Sequence, residues 1–267
     1  MKRSKTTSFI TALAASVTAV FIFTGVASAL DISLEPAKAQ REIGGKVRVH
    51  IYANAATDLI SMGVKVSFDP TVLQVESASK YEDFDEGWTM DADGDPSTTG
   101  DRYYLPAVEI DNTAGTVMMI GGRLIGETTT GLTGKVLLGW IVFEAISNGD
   151  CNLQVDLAKY HTNHPTQTFD NFVSLVNLQG QKDEPTNVPG DLGLICVTAG
   201  ACVGDINENS AVDMGDFSIV RSAMGKSFPQ PGYRVDSDLN GNGAVDMGDF
   251  AILRGQMGTS NCPSCNL

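Results

Sequence analysis

The stretch "DINENSAVDMGDF" from Asp205 to Phe217 recurs as "DLNGNGAVDMGDF" from Asp238 to Phe250. With Asp205 as position 1, oxygen-bearing side chains fall at positions 1, 3, 5, 9 and 12: Asp205, Asn207, Asn209, Asp213 and Asp216. The second copy places Asp238, Asn240, Asn242, Asp246 and Asp249 at the same positions. This is the ligand spacing of the twelve-residue EF-hand calcium loop, in which position 7, here Ala211 and Ala244, offers its backbone carbonyl. A hard cation of that size takes six to eight oxygens, and a tight loop converges them without a large core. Asp and Asn also crowd ordinary turns, but two copies in register, each entering a helical pattern, favour metal. Met214, Phe217, Val220 and Met224 share one face at helical spacing, and Met247, Phe250, Leu253 and Met257 repeat it. The expected cofactor is therefore Ca²⁺ at two sites, each relieving the repulsion among three carboxylates. The copies disagree at position 6, where the sharp turn usually takes glycine: Gly243 stands in the second loop and Ser210 in the first, which predicts a weaker first site. Position 12 is Asp rather than Glu in both, one methylene shorter in reach.

The N-terminus predicts export. Lys2, Arg3 and Lys5 precede an apolar run, and Ala27, Ser28 and Ala29 have the small-x-small form of a cleavage site, so residues 1–29 read as a signal peptide. The remainder has no second apolar run long enough to span a bilayer, which predicts a secreted, extracellular, periplasmic or cell-surface protein with no membrane association after cleavage. A formal charge of −14, more negative without the leader, argues against nucleic acid and anionic lipid and suits cations. Cys151 stands alone, while Cys196, Cys202, Cys262 and Cys265 bracket the doubled motif. In an exported chain they read as disulfides with three possible connectivities, ahead of zinc.

Upstream the period is two. Val47, Val49 and Ile51 alternate in "KVRVHIYA", and Met62, Val64, Val66 and Phe68 in "SMGVKVSF". Further strands are expected at "VLQVES", "RYYLPAVEI", "GTVMMIGG", "KVLLGWIVFEA", "CNLQVDL" and "NFVSLVNL". The fold class is mainly β with a small α module: an antiparallel, jelly-roll-like β-sandwich over 30–180, then the duplicated calcium module. "GQKDEPTNVPGDLG" mixes charge with Pro and Gly, so 181–202 reads as a linker. The calcium module is assigned to 203–258 and a cysteine-containing tail to 259–267.

Residues 203–258, "GDINENSAVDMGDFSIVRSAMG" followed by "SFPQPGYRVDSDLNGNGAVDMGDFAILRGQMG" with its flanks, resemble the dockerin type I domains of cellulosome-type assemblies, including the Phe-Pro-x-Pro-Gly-Tyr connector. The resemblance implies that loop positions 10 and 11 and the following helix meet a cohesin partner. These are Met214, Gly215 and Arg221 in one copy and Met247, Gly248 and Arg254 in the other. Their agreement implies two nearly equivalent faces related by a half turn. The alternative for the methionines is burial between the helices. "GGKVRVHIYANAATDLISMGVKVSFDPTVLQVESAS" resembles a cohesin opening, and "TGKVLLGWIVFEA" a later core strand of that family. Sugar-binding modules share this sandwich architecture, and fold alone does not give function.

The remaining candidates are weaker. Trp88, Tyr103 and Tyr104 suit a sugar platform or an ordinary buried edge. Asp91, Asp93 and Asp95 read as a solvated loop, and so do His161 and His164 near Asp170. No nucleophile elbow or phosphate loop stands out, and no catalytic residue is assigned. The expectation is a non-catalytic, calcium-dependent scaffolding protein whose partners are cohesin or dockerin domains of other proteins or of its own copies. The alternatives are a carbohydrate-binding sandwich docked through its dockerin-like module, with polysaccharide as partner, and an accessory glycoside hydrolase component.

Overall fold

A computed structural model of the chain describes residues 29–81, 84, 89–90, 103–104, 108–122, 130–158, 172–176, 179–263 and 265. Nearly all of the expected leader lies outside these residues, as do Trp88, Asp91, Asp93, Asp95, His161, His164, Asp170 and the side chains of Tyr103 and Tyr104. The first elements are β1 (Asp31–Glu35), β2 (Lys38–Arg41), β3 (Lys46–Ser67), β4 (Leu73–Lys80), β5 (Thr89–Met90), β6 (Tyr103–Tyr104) and β7 (Glu109–Asp111). They continue with β8 (Thr116–Gly122), β9 (Leu132–Ala145), β10 (Gly149–Leu157), β11 (Val173–Val176), β12 (Gln179–Lys182) and β13 (Gly190–Val197). The C-terminal part holds α1 (Met214–Ala223), β14 (Lys226–Ser227), a 3₁₀ turn (Val235–Ser237), β15 (Ala244–Val245) and α2 (Met247–Gln256).

The long strand β3 organises an 11-stranded sheet. Its first part pairs with β1 and β9 and its last part with β8, β10 and β11. Between these parts the register slips, and Ala55 and Asp58 take positive φ, the irregularity that bends a strand and redirects its pairing. "KVRVHIYA" and "SMGVKVSF", which read as two strands, are therefore the two ends of one. Their alternating apolar residues, Val47, Val49 and Ile51 then Met62, Val64 and Val66, bury in a single core with Phe143, Ile141, Leu153 and Val155.

The linker expected over 181–202 is a correction. Gln179–Lys182 is β12, and Gly190–Val197 is β13, which lies antiparallel to β10 and parallel to β2. Charged and polar residues are mixed with Pro and Gly up to Gly193, but the four residues after it, Leu194, Ile195, Cys196 and Val197, are all buried. So short an apolar run has no alternation to announce a strand. The sandwich thus extends to Val197, and only Thr198–Cys202 joins it to the C-terminal module.

That module packs its own small core from Cys202, Val212, Val220, Ala223, Leu239, Val245, Leu253 and Cys262. Disulfides Cys196–Cys265 and Cys202–Cys262 close loops of 69 and 60 residues, and Cys151 is free and buried. This pairing selects one of the three connectivities and leaves no thiolate set for zinc among the described residues. The module also covers part of the sandwich. Arg48 and His50 alternate with the core residues of β3, so they belong on its outer side, yet they are only 8% and 1% exposed. The connector rings do the covering: His50 meets Phe228 edge-on with centroids 4.9 Å apart and stacks on Tyr233 at 5.8 Å.

Candidate metal and partner-binding module

Each loop is held by its own side chains in the same way. In the first, Asp205 accepts from Asn209 N–H (3.0 Å) and Ser210 N–H (2.9 Å), and Asn207 Oδ1 accepts from Asn209 N–H (3.0 Å). In the second, Asp238 accepts from Asn242 N–H (3.0 Å) and Gly243 N–H (2.8 Å), and Asn240 Oδ1 accepts from Asn242 N–H (3.0 Å). Asn209 and Asn242 accept from Ala211 and Ala244 N–H at 2.9 and 2.8 Å. The Asx turns at positions 1, 3 and 5 wrap the backbone around one centre.

Positions 9 and 12 start the helices. Asp213 and Asp246 are N-caps, and Asp216 and Asp249, at N3, return a carboxylate oxygen to the cap N–H at 2.9 and 2.8 Å. Each helix therefore begins with a capping box of acids, favoured by the positive end of its dipole. Asp216 and Asp249 are fully buried and also reach back to the loop, Asp216 accepting from Ile206 and Asn207 N–H and Asp249 from Asn240 N–H. Loop exits are pinned reciprocally. Val212 N–H bonds Thr259 beyond α2, and Val245 pairs with Lys226 beyond α1.

Among the described residues no three His, Cys, Asp or Glu side chains converge tightly enough to hold a metal by themselves. Each loop adds two Asn amide oxygens and an Ala carbonyl, an all-oxygen set that suits calcium. The electrostatics fit as well. Burial, then the charges of Asp216 and Glu208, hold the Asp205 carboxyl above its usual range; burial, then Asp238 and Asp246, do the same to Asp249. A divalent cation offsets that crowding of negative charge.

The two loops differ in surroundings. Asp205 is half-buried, whereas Asp238 is fully buried and takes two further contacts. Tyr233 Oη donates to Asp238 Oδ2 at 2.7 Å, and Arg48 Nε of the sandwich lies 3.8 Å from the same oxygen. Burial, then the Asp238 charge, holds the Tyr233 hydroxyl protonated far above its usual range. Nothing in the loop motif flagged Arg48 or Tyr233. The signal available was glycine at positions 4 and 6 in the second copy alone.

The expected partner residues are on the surface. Met214 and Met247 are 63% and 68% exposed, so burial between the helices is not their role, and Arg221 and Arg254 are exposed in the last helical turns. Val220 and Leu253 fill the core instead, with Phe217 and Phe250 edge-to-face across the helix pair at 5.9 Å. Gly215 and Gly248 have a packing reason too: a Cβ on either would stand 2.8 Å from the amide nitrogen of Asn207 or Asn240, a candidate ligand side chain.

No curated protein matches the chain. Among solved structures, the seventh ScaB type I cohesin from Pseudobacteroides cellulosolvens is similar at 16% identity over 65% of this chain and 94% of that one, with a TM-score of 0.42. A non-cellulosomal cohesin from the archaeon Archaeoglobus fulgidus is similar at 12% identity over 64% and 93%, TM-score 0.41. A type I cohesin–dockerin complex from Clostridium thermocellum supplies another at 10% identity over 64% and 100%, TM-score 0.40. Residues 203–258 match the dockerin type I domain family, and the sandwich that precedes them is similar to solved cohesins.

Proposed function

We propose that the chain is a secreted, non-catalytic assembly protein whose dockerin domain folds around two calcium ions and engages a cohesin-type domain in trans, on another protein or on a second copy. The single observation that carries this reading is the pair of matching exposed faces, Met214, Gly215 and Arg221 on one helix and Met247, Gly248 and Arg254 on the other. Exposed methionine is an adaptable contact residue, and its repetition supports binding in two orientations. Calcium supplies the charge compensation that lets each loop hold its helix start in place. Residues 198–202 and the Cys196–Cys265 disulfide fasten the module to its own sandwich, the connector rings pack on His50, and the helices are left to a partner in trans. Two disulfides suit an oxidising compartment.

Sedimentation of the mature chain in calcium and in chelator, together with capture on immobilised cohesins, tests the reading. Expected is calcium-dependent self-association or cohesin capture, reduced at least tenfold by the double substitution Met214→Asp and Met247→Asp. A monomer that binds no cohesin at high micromolar concentration in calcium would refute it. Calcium-independent retention on insoluble polysaccharide would instead make the sandwich a carbohydrate-binding module.

A further inference from the structure

The two calcium loops differ at three positions: Ile206 against Leu239, Glu208 against Gly241 and Ser210 against Gly243. Both extra glycines face the sandwich. A Cβ on Gly241 would lie 3.3 Å from Arg48 N and 3.5 Å from the backbone carbon of Val47, and one on Gly243 would lie 3.1 Å from Arg48 Nη2. The second loop is thus trimmed where β3 approaches it, and the first, which keeps Glu208 and Ser210 exposed, is not.

Arg48 is the centre of that approach. Its Nε donates to Gly241 O at 3.4 Å and lies 3.8 Å from Asp238 Oδ2, while its guanidinium sits 4.1 Å from the Trp140 ring centroid. We infer that the second loop is a metal site shared between the sandwich and the dockerin domain: Arg48, with Tyr233, positions the Asp238 carboxylate, so that cation loading of this loop, unlike the first, is coupled to how the domain seats on the sandwich. The inference rests on the calcium reading above. Arg48 and the cation act on one buried carboxylate and repel each other at close range, so each weakens the other's hold by the same factor. The first loop has no such competitor within the contacts described, and it exchanges metal independently of the sandwich.

The full mature chain carrying Trp88→Phe keeps Trp140 as its only tryptophan, which makes the sandwich side of the contact visible. In a calcium titration followed by calorimetry and Trp140 emission together, two binding steps are expected, and the emission follows one of them. Asp213→Asn in the first loop weakens the silent step and leaves the emission step in place. Arg48→Gln tightens the emission step roughly tenfold and leaves the other unmoved, while Arg48→Lys, which keeps the charge, stays within about threefold of the parent. The lysine variant separates charge from packing, and the second step serves as an internal control for folding. Emission flat through both steps, or equal shifts of both steps in Arg48→Gln, would overturn the coupling while leaving the calcium reading intact. Absence of any calcium heat would remove that reading and this inference with it.

Discussion

Ser210 takes φ +68° and Glu208 φ +57°, whereas the equivalent Gly243 and Gly241 hold +90° and +71° at no steric expense. For residues with a Cβ the left-handed region costs roughly 1–2 kcal/mol. The first loop therefore carries strain at two positions that the second avoids. Replacing Ser210 or Glu208 with Gly is expected to tighten the first calcium site by about fivefold each, since about 1 kcal/mol of strain is returned, less what the freer unfolded chain gains. Calorimetry on the single variants reads this directly; unchanged affinity in both would show that the strain is not felt on binding. The strained backbone at Ser210 was legible from the missing glycine alone. Glu208 was not, because position 4 is no ligand and only its backbone conformation reveals the burden.

At the scale of elements, α1 and α2 begin where the loops end, and Asp213, Asp216, Asp246 and Asp249 serve both. Under the calcium reading proposed above, such double duty ties metal affinity to protonation. Asp205 and Asp249 hold their protons to higher pH than ordinary aspartates, chiefly through burial. Calcium needs both ionised, so protons compete with it as pH falls through the upper carboxylate range, and affinity recovers above that range. A loss of roughly tenfold in calcium affinity between pH 7 and pH 4.5 is expected from titrations in matched buffers; a flat profile would mean that neither carboxylate is a ligand. The helices and loops were readable because spacing encodes them. Strand β13 was not, since Leu194–Val197 is too short to show a period and follows a stretch whose Pro and Gly suggest a linker. The bend in β3 was likewise hidden, because register slips near Ala55 and Asp58 leave no compositional mark.

For the molecule as a whole, the unforeseen feature is the seating of the dockerin domain on β3. Arg48 and His50 occupy ordinary outward positions of an alternating strand, and nothing local distinguishes a solvated outward residue from a covered one. His50 is nonetheless buried against Phe228, Tyr233 and Tyr52, with Nε2 lacking a partner, and burial, then the charges of Arg48 and Lys135, lowers its pKa to about 4. It folds neutral. The unfolded chain takes up the proton near the ordinary value of 6.5, so the stability due to a neutral His50 is complete above that pH and is lost as pH falls towards 4. The loss reaches about 3 kcal/mol at most. Hydrogen exchange at the connector amides should quicken across that window in the parent and much less in His50→Gln. Equal pH dependence in both would place the sensitivity elsewhere.

Cys202 and Cys262 join the two ends of the dockerin domain, and Cys265 ties its tail to Cys196 on a central strand of the sandwich. Suppose a partner gripping the helices is pulled away from a sandwich anchored elsewhere. The load then runs through covalent bonds at both ends of the domain, which cannot be drawn apart and unravelled from its termini. Tension would then reach the two Asp- and Asn-rich loops only as shear across a closed ring, because the Cys202–Cys262 bond holds the ends of the module together.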